Sequence, residues 1–558
     1  MIPVLEKLIK HMKWIMGQAK SSIPSLLLLT FIGTVSSLTT VFIALASKGL
    51  FDSAQNGEIG SLVQSGLSII GIVLMQSVLQ SVMTVYSVKV SVSLSNRIRQ
   101  RLFEKLSRSQ WLDFTKYHSG DLLVRMTSDV EAVTSGVSSV IPGIIALFFS
   151  LCTSLVVLVI FDPLLALFAF ILGPVSIIFA RLFSHKLKEY YLRIQETEST
   201  LRGFVQERLN HMHIIKAFGL ESDSSGILSG IQDKKLFWAI KRSKISAVSS
   251  AVLSLSYWLG FLLALLWGSV RLSQGTATFG TITVFLQLVG QIQGPFISLS
   301  YSLPQAIVTY ASAGRLMDLY DIEDEGLTGK SPGWSAAGIC SEKLKFRYDQ
   351  DTAVLDNASF NIRPGEFTAI IGASGEGKTT FLRLLLALLK PSGGSLYFYD
   401  PESAEKVSAG VITRSLTSYV PQGNTLFSGT IKENVLLGNK AASEEELADA
   451  LKKACIWDFI NSLPEKMDTI VGENGYGLSE GQAQRISIAR ALLGKKPVLI
   501  LDEATSALDE ETELELLNSI ASITPLPTCI IITHRKAALD FCNRILTVEN
   551  GTVSEISI

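Results

Sequence analysis

Apolar and polar positions divide this chain into two halves. Uncharged apolar runs occupy residues 21–47, 61–88, 132–161, 163–180, 245–270 and 272–314. Each is about the ~20 residues a helix needs to cross a ~30 Å hydrocarbon core. A soluble core helix would show a charged face every turn, and these runs do not, so the pattern predicts six membrane-spanning helices. The stretch before the first run sets Val4, Leu5, Leu8, Ile9 and Met12 against Lys7, Lys10 and Lys13, as in a helix lying on a membrane surface. Only twenty residues precede the first run; it is expected to be a span rather than a cleaved leader, with no processing domain ahead of it. Beyond Arg315 the pattern changes. Residues 321–337 are charged and carry Gly and Pro, a linker by composition. Residues 338–558 alternate short β-branched runs with helical stretches, which predicts an α/β domain. The domains expected are therefore 1–320, 321–337 and 338–558.

The loop charges fix an orientation. Lys7, Lys10, Lys13 and Lys20 precede the first span, eight basic residues from Lys89 to Arg125 lie between the second and third, and twelve from Arg181 to Lys244 lie between the fourth and fifth. The opposite loops carry only Lys48 and Arg271. Positive charge stays on the cytoplasmic side, so both termini and the two long loops are expected there, in a multi-pass protein of the cytoplasmic membrane. Those loops are polar yet periodic, and read as helices continuing out of the membrane.

Composition narrows the function. Charged residues are only 18% of the chain, and 49 Lys+Arg nearly balance 50 Asp+Glu, so no basic field invites nucleic acid. The five cysteines are scattered without metal spacing, and no HxxxH pair occurs among six histidines.

The second half carries the chemistry. An apolar strand, 367–371, runs into Gly372, Ser374, Gly375, Gly377, Lys378, Thr379 and Thr380 in the GxxxxGK[ST] spacing, followed by a helix. Such glycines let backbone N–H groups curl around phosphate, and the helix N-terminus adds partial positive charge. Lys378 suits the β/γ-phosphates and Thr379 suits Mg²⁺. Downstream, a buried strand ends in Asp502 and Glu503: the first is placed to partner Mg²⁺, the second to polarise an attacking water.

Between these motifs lie Leu478, Ser479, Glu480, Gly481 and Gln482. Leu-Ser-x-Gly-Gln ahead of a basic helix resembles the signature of ATP-binding cassette (ABC) transporters. That resemblance extends to Tyr348 (adenine stacking), Gln422 (Q-loop, metal and water), Asp509 in Ser-Ala-Leu-Asp (D-loop), His534 (switch histidine) and Glu473 in an exporter-type loop. The membrane half is similar to exporters at Ser119–Asp129, with Asp121 and Arg125, at Gln206–Glu221, and at Gly314–Arg315. The family's pattern commonly has Gly where Glu480 stands, and that carboxylate is expected to weaken ATP affinity without abolishing activity.

The resemblance implies an α-helical six-span membrane domain joined to an α/β P-loop NTPase with a mixed sheet, an antiparallel β subdomain and a helical signature subdomain. It also implies ATP and Mg²⁺ as ligands, and export of a drug, lipid or peptide. In this family the signature serine caps ATP on a partner cassette, so one chain is half a transporter and a homodimer is expected. The alternatives are a heterodimer half, a lipid flippase or an ATP-gated channel. Gln76 with Gln80, and Gln287 with Gln291, share helix faces. They, with Tyr257 and Trp258, either line a passenger cavity or bond neighbouring helices.

Overall fold

The computed structural model describes residues 2–326, 330–348, 353–373, 375–472 and 477–556. These form two compact units: residues 1–104 with 118–321, and residues 105–117 with 322–558.

The first unit is helical. Its order is α1 (Ile2–Ala19), α2 (Ile23–Asn56) and α3 (Ile59–Arg108), then α5 (Ser119–Val124), α6 (Val130–Ser135), α7 (Ile141–Phe161), α8 (Pro163–Asn210), α9 (Met212–Phe218), α10 (Glu221–Ser273) and α11 (Phe279–Tyr320). A short helix, α4 (Trp111–Phe114), lies in the second unit. Among the described residues, five helical stretches are long and apolar enough to cross a membrane: Ile9–Asn56, Ile59–Arg108, Ser119–Phe161, Glu221–Ser273 and Phe279–Tyr320. The fourth expected run opens α8, where the described apolar part is Pro163–Val175. The side chains of Val4, Leu5 and Leu8 lie outside the described ones.

Helix length explains the polar, periodic loops. α3 has 50 residues, which at ~1.5 Å per residue is ~75 Å, against a ~30 Å core. α8 and α10, with 48 and 53 residues, likewise run far past that thickness.

Within this unit, polar side chains pin helix to helix. Asp52 receives Lys48 Nζ at 2.6 Å on its own helix and the backbone N–H of Gly280 at 3.2 Å on α11. Asp162 caps α8 by accepting from the N–H groups of Leu164 and Leu165, and also receives Trp267 Nε1 at 2.9 Å from α10. Asp129 is 3% exposed and holds Ser312 and the guanidinium of Arg315 on α11. Arg125 donates to Asp121 and to the carbonyl of Arg315. Two π-helical turns, Arg125–Asp129 and Gly136–Val140, bracket α6 at this seam. Gly136 is required there, because a Cβ would lie 2.3 Å from Thr309 Oγ1.

The second unit is the α/β domain. A four-stranded antiparallel sheet orders β2 (Ala353–Ile362), β1 (Gly338–Arg347), β4 (Gly393–Tyr399) and β5 (Lys406–Ser408). The central sheet has six strands in the order β12 (Thr552–Ile556), β11 (Arg544–Glu549), β3 (Phe367–Ile371), β10 (Thr528–Ile532), β9 (Val498–Asp502) and β6 (Thr417–Val420). Within it β11, β3, β10, β9 and β6 run parallel, and β12 pairs antiparallel at one edge. β9 and β10 are buried along their whole length, as expected of parallel strands covered on both faces. Truncating a residue such as Ile500 to Ala costs about 2–5 kcal/mol. Helices α12 (Lys378–Leu385), α17 (Glu510–Ala521) and α18 (Lys536–Phe541) accompany this sheet. The ribbon of β7 (Gly429–Thr430) and β8 (Ile470–Val471) joins α13 (Ile431–Leu436), α14 (Glu444–Lys453), α15 (Trp457–Ser462) and α16 (Glu480–Leu493) in a helical subdomain. The mixed sheet, antiparallel subdomain and helical subdomain correspond to the expected fold.

The start of the expected linker is ordered here. Gln110 N–H donates to the carbonyl of Glu323, Glu325 N–H donates to that of Arg108, and Arg414 grips the Glu325 carboxylate with two N–H groups.

Candidate functional site

The strand order brings the candidate residues to one edge. In a doubly wound sheet, ligands gather beyond the carboxyl ends of the strands. β3 ends in the Gly372–Lys378 loop, its neighbour β10 in His534, the next strand β9 in Asp502 and Glu503, and β6 in the loop bearing Gln422. Ile532 is in register with both Ile370 and Asp502, so the three loops leave the sheet at one level.

The phosphate-type loop is shaped by its glycines. Gly372, Gly375 and Gly377 have φ of 154°, 90° and 101°, conformations that side chains disfavour. A Cβ on Gly372 would lie 2.4 Å from the Val548 carbonyl oxygen. Lys378 opens α12 and folds back, donating from Nζ to the carbonyl of Gly372 and to that of Ala373 at 3.0 Å. Its ammonium is thereby held within the loop that precedes a helix N-terminus, the geometry of an anion cradle. Thr379 is exposed beside it and Thr380 is buried. Tyr348 bonds Thr380 Oγ1 and accepts from Arg383, and its ring packs edge-on against Phe346. Ser374 and Glu473 lie outside the described residues.

Two carboxylates meet this edge in different states. Asp502 is 9% exposed and accepts from Tyr419 Oη at 3.2 Å. Burial, with the neighbouring Glu503 charge, pushes its carboxyl above the ordinary range, and burial beside Asp502 likewise pushes the Tyr419 phenol up. Glu503 is half-buried and receives Gln422 Nε2 at 2.6 Å. Its φ of 49° puts a non-glycine residue in the left-handed region, a strain of about 1–3 kcal/mol typical of functional positions. Glu503 N–H donating to Ile532 and Ser506 N–H donating to Glu503 hold it there. His534 is exposed in the loop after β10.

The signature residues form a separate, tightly capped turn. Ser479 Oγ accepts from Gln482 N–H while Gln482 Oε1 accepts from Ser479 N–H, a reciprocal capping box at the start of α16. Gln482 therefore serves the helix start in this structure. Glu480 falls in the first turn, where an acid is favoured. Gly481 lies against the D-loop: a Cβ there would be 2.9 Å from the Ala507 carbonyl oxygen. Asp509 caps α17 by accepting from Thr512 N–H and Oγ1, and the Thr512 N–H holds its carboxyl below the usual range.

Three contributors were not singled out from sequence. Gln484, fully buried, donates to Ser506 and accepts from Ala507 N–H, tying α16 to the D-loop. Arg535 donates to the carbonyls of Thr505 and Leu508, and Glu513 lies behind it. A signal for Glu513 existed: it shares the i, i+3, i+4, i+7 stripe with Leu516, Leu517 and Ile520, which puts a carboxylate on the apolar face of α17.

In the first unit the glutamines separate. Gln291 donates to the Thr40 carbonyl and accepts from Ser154, both at 3.0 Å, so it bonds neighbouring helices. Gln80, Tyr257 and Trp258 are exposed on the isolated chain. Gln293, which was not singled out, is 4% exposed.

Comparison with known proteins agrees with this architecture. Residues 23–296 match the ABC transporter transmembrane region and residues 355–506 the ABC transporter cassette. The chain is 32% identical over 462 residues to the ATP-dependent lipid A-core flippase of Syntrophus aciditrophicus (strain SB), covering 82% of this chain and 76% of that one. It is 30% identical over 472 residues to the multidrug resistance-like ATP-binding protein MdlA of Escherichia coli (strain K12), covering 83% and 79%. A bacterial Atm1-family ABC exporter solved with ATP bound superposes with a TM-score of 0.81 over 96% of this chain and 95% of that one, at 22% identity, a likeness of fold. The chain belongs to the ABC transporters, with membrane region and cassette fused as in half-size exporters. It is an ATP-binding, ATP-hydrolysing exporter.

Proposed function

We propose that this chain, paired with a second copy, exports an amphipathic or hydrophobic passenger across the cytoplasmic membrane, driven by ATP bound between the two cassettes. The observation that carries this is the convergence of the Gly372–Thr380 loop, Gln422, Asp502, Glu503 and His534 on one sheet edge. Part of that edge is exposed in one chain, with Thr379, Gln422 and His534 facing solvent, as are Ser479 of the signature turn and Ser506 and Asp509 of the D-loop. Hydrolysis chemistry calls for a site closed to bulk water, and a second cassette would close this one.

In this reading Lys378 and the N–H groups of the loop bind the phosphates, and Tyr348 stacks on adenine. Thr379, Gln422 and Asp502 would hold Mg²⁺, which neutralises phosphate charge. Glu503 takes the proton of the attacking water, and the Gln422 amide orients the Glu503 carboxylate. His534 donates to the γ-phosphate oxygens. Ser479 and Gly481 of the second copy complete the pocket, with Gln482 and Asp509 at its rim. ATP binds the closed pair better than the open one and so selects it. Closure passes through the two long cytoplasmic loops to six spans per chain, with both termini cytoplasmic.

The described apolar spans carry no charged pore ring, which suits an uncharged or amphipathic passenger. The flippase relative moves a lipid and MdlA is multidrug resistance-like by name; both passenger types fit. ATPase stimulation of the purified chain in lipid vesicles, across lipids, drugs and peptides, tests this. A lipid or apolar drug is expected to raise turnover. Stimulation by hydrophilic solutes alone would contradict the reading.

A further inference from the structure

We propose that Arg535 and Glu513 are positioning residues for ATP hydrolysis, holding the turn that carries Glu503 against the loop that carries His534. The inference rests on the roles given above to Glu503 and His534.

Three observations carry it. First, Glu503 is strained, with φ at 49°, so something must hold its turn. Second, Arg535, the residue after His534, donates from Nη1 to the carbonyls of both Thr505 and Leu508. These carbonyls bracket the segment that leaves Glu503, and Leu508 N–H in turn donates to Thr505. One guanidinium thus fixes the start and end of the turn to the neighbour of the switch histidine. Its own backbone N–H is fixed by Thr533 Oγ1 at 3.0 Å. Third, the side chain of Glu513 is 0% exposed and lies 3.4 Å from Arg535 Nε. Neither of its carboxylate oxygens has a hydrogen bond within the described structure.

A carboxylate buried so completely is costly unless a cation faces it. A stability role alone would be served better by a leucine, which the apolar stripe of α17 would accommodate. The arrangement makes sense if Glu513 sets the guanidinium: Nε faces the acid, leaving Nη1 aimed at the D-loop carbonyls. The chain of contacts is then Glu513, Arg535, the 505–508 turn and Glu503. Gln484 holds the same turn from α16, so the turn is gripped from two sides. Arg535 alone ties it to the His534 loop through its side chain among these contacts.

The test uses the full chain in lipid nanodiscs. Steady-state ATPase is measured alongside equilibrium binding of the fluorescent analogue TNP-ATP for R535A, R535K, E513Q and E503Q. A misplaced base costs turnover rather than binding, so R535A should lower kcat about 10–100-fold while KM and TNP-ATP affinity stay within about threefold. R535K keeps a cation but has one nitrogen, which cannot both face Glu513 and bond the two carbonyls as the separate Nε and Nη1 of the guanidinium do, and should recover only part of the loss. E513Q should fall between wild type and R535A. Turnover of R535A within about twofold of wild type, or parallel loss of turnover and TNP-ATP binding, would overturn the proposal. Should R535A not fold, R535K and E513Q decide by the same split. Retained hydrolysis in E503Q would instead overturn the underlying role of Glu503, whatever Arg535 does.

Discussion

The two units use buried charge in opposite ways. In the membrane unit, Asp129 is saturated: Ser312 and a two-pronged Arg315 satisfy it, and the result is a helix seam. In the cassette, Glu513 is fully buried with, among the described residues, a single cation beside it and no hydrogen bond to either oxygen. Asp502 has one tyrosine, and burial raises its carboxyl. A saturated pair resists change, whereas an under-satisfied one is poised to hold or accept something. The difference separates parts that keep a shape from parts that bind and react.

That contrast can be broken at several points. The largest effect is expected at the reacting edge. Glu503→Gln should cut ATP turnover by about 10²–10⁴-fold, the usual worth of a general base, while TNP-ATP still binds; a variant that keeps hydrolysing would remove Glu503 from its role. Next, Lys378→Ala should weaken nucleotide binding about 10–100-fold, from loss of about 1.5–3 kcal/mol of charge-assisted bonding, measured by TNP-ATP titration.

In the membrane unit the effect should be on stability. Asp129→Asn leaves Arg315 without its anion. Arg315 is half-exposed, so the cost should fall below the ~3–5 kcal/mol of a broken buried pair, at about 1–2 kcal/mol, read as a lower melting midpoint. A reversed pair, Asp129→Arg with Arg315→Asp, should restore less than wild type, because Ser312 and the Arg315 carbonyl contacts are set for the native polarity.

The smallest effect sharpens the point about Asp502. Its folded-state carboxyl is raised, so the protonated form stabilises the free protein. That contribution is complete below the ordinary carboxylate range and is lost as pH rises through the raised value. A metal needs the ionised form. The Mg²⁺ concentration for half-maximal ATPase should therefore climb as pH falls toward the raised value, starting at a higher pH than for an ordinary aspartate. In Asp502→Asn whatever activity remains should lose this dependence.

How much of this the sequence discloses depends on which kind of residue carries it. Uninterrupted apolar runs mark the membrane helices because lipid tolerates no charged face, and long polar periodic stretches mark their extensions. The Gly372–Thr380 loop is legible because its glycines and lysine stand at fixed spacing for a local reason, the turn from β3 into α12. Asp502 and Glu503 are legible as the acidic end of a buried strand, but Gln422 and His534 only through resemblance, since strand order, not chain order, brings the four together. What composition hid is which polar residues pair. Gln291 looks the same in sequence whether it lines a cavity or bonds Thr40. Asp129 and Arg315 are 186 residues apart. Residues 105–117 belong with the cassette although they sit between two spans in sequence, because Lys105, Arg108 and Gln110 bond the 323–325 strap and Trp111 and Leu112 pack against the cassette core. Glu513 went unread although its helical phase marks it as a carboxylate on an apolar face.

The central claim is that each ATP is hydrolysed between the phosphate loop of one copy and the signature turn of another. Co-expressing a Lys378→Ala chain with a Ser479→Ala chain under two affinity tags, and purifying the mixed pair, tests it directly. Each variant paired with itself should be nearly inactive. The mixed pair contains one site with an intact loop and an intact signature, so ATPase activity should return. A mixed pair as inactive as its parents would contradict the account.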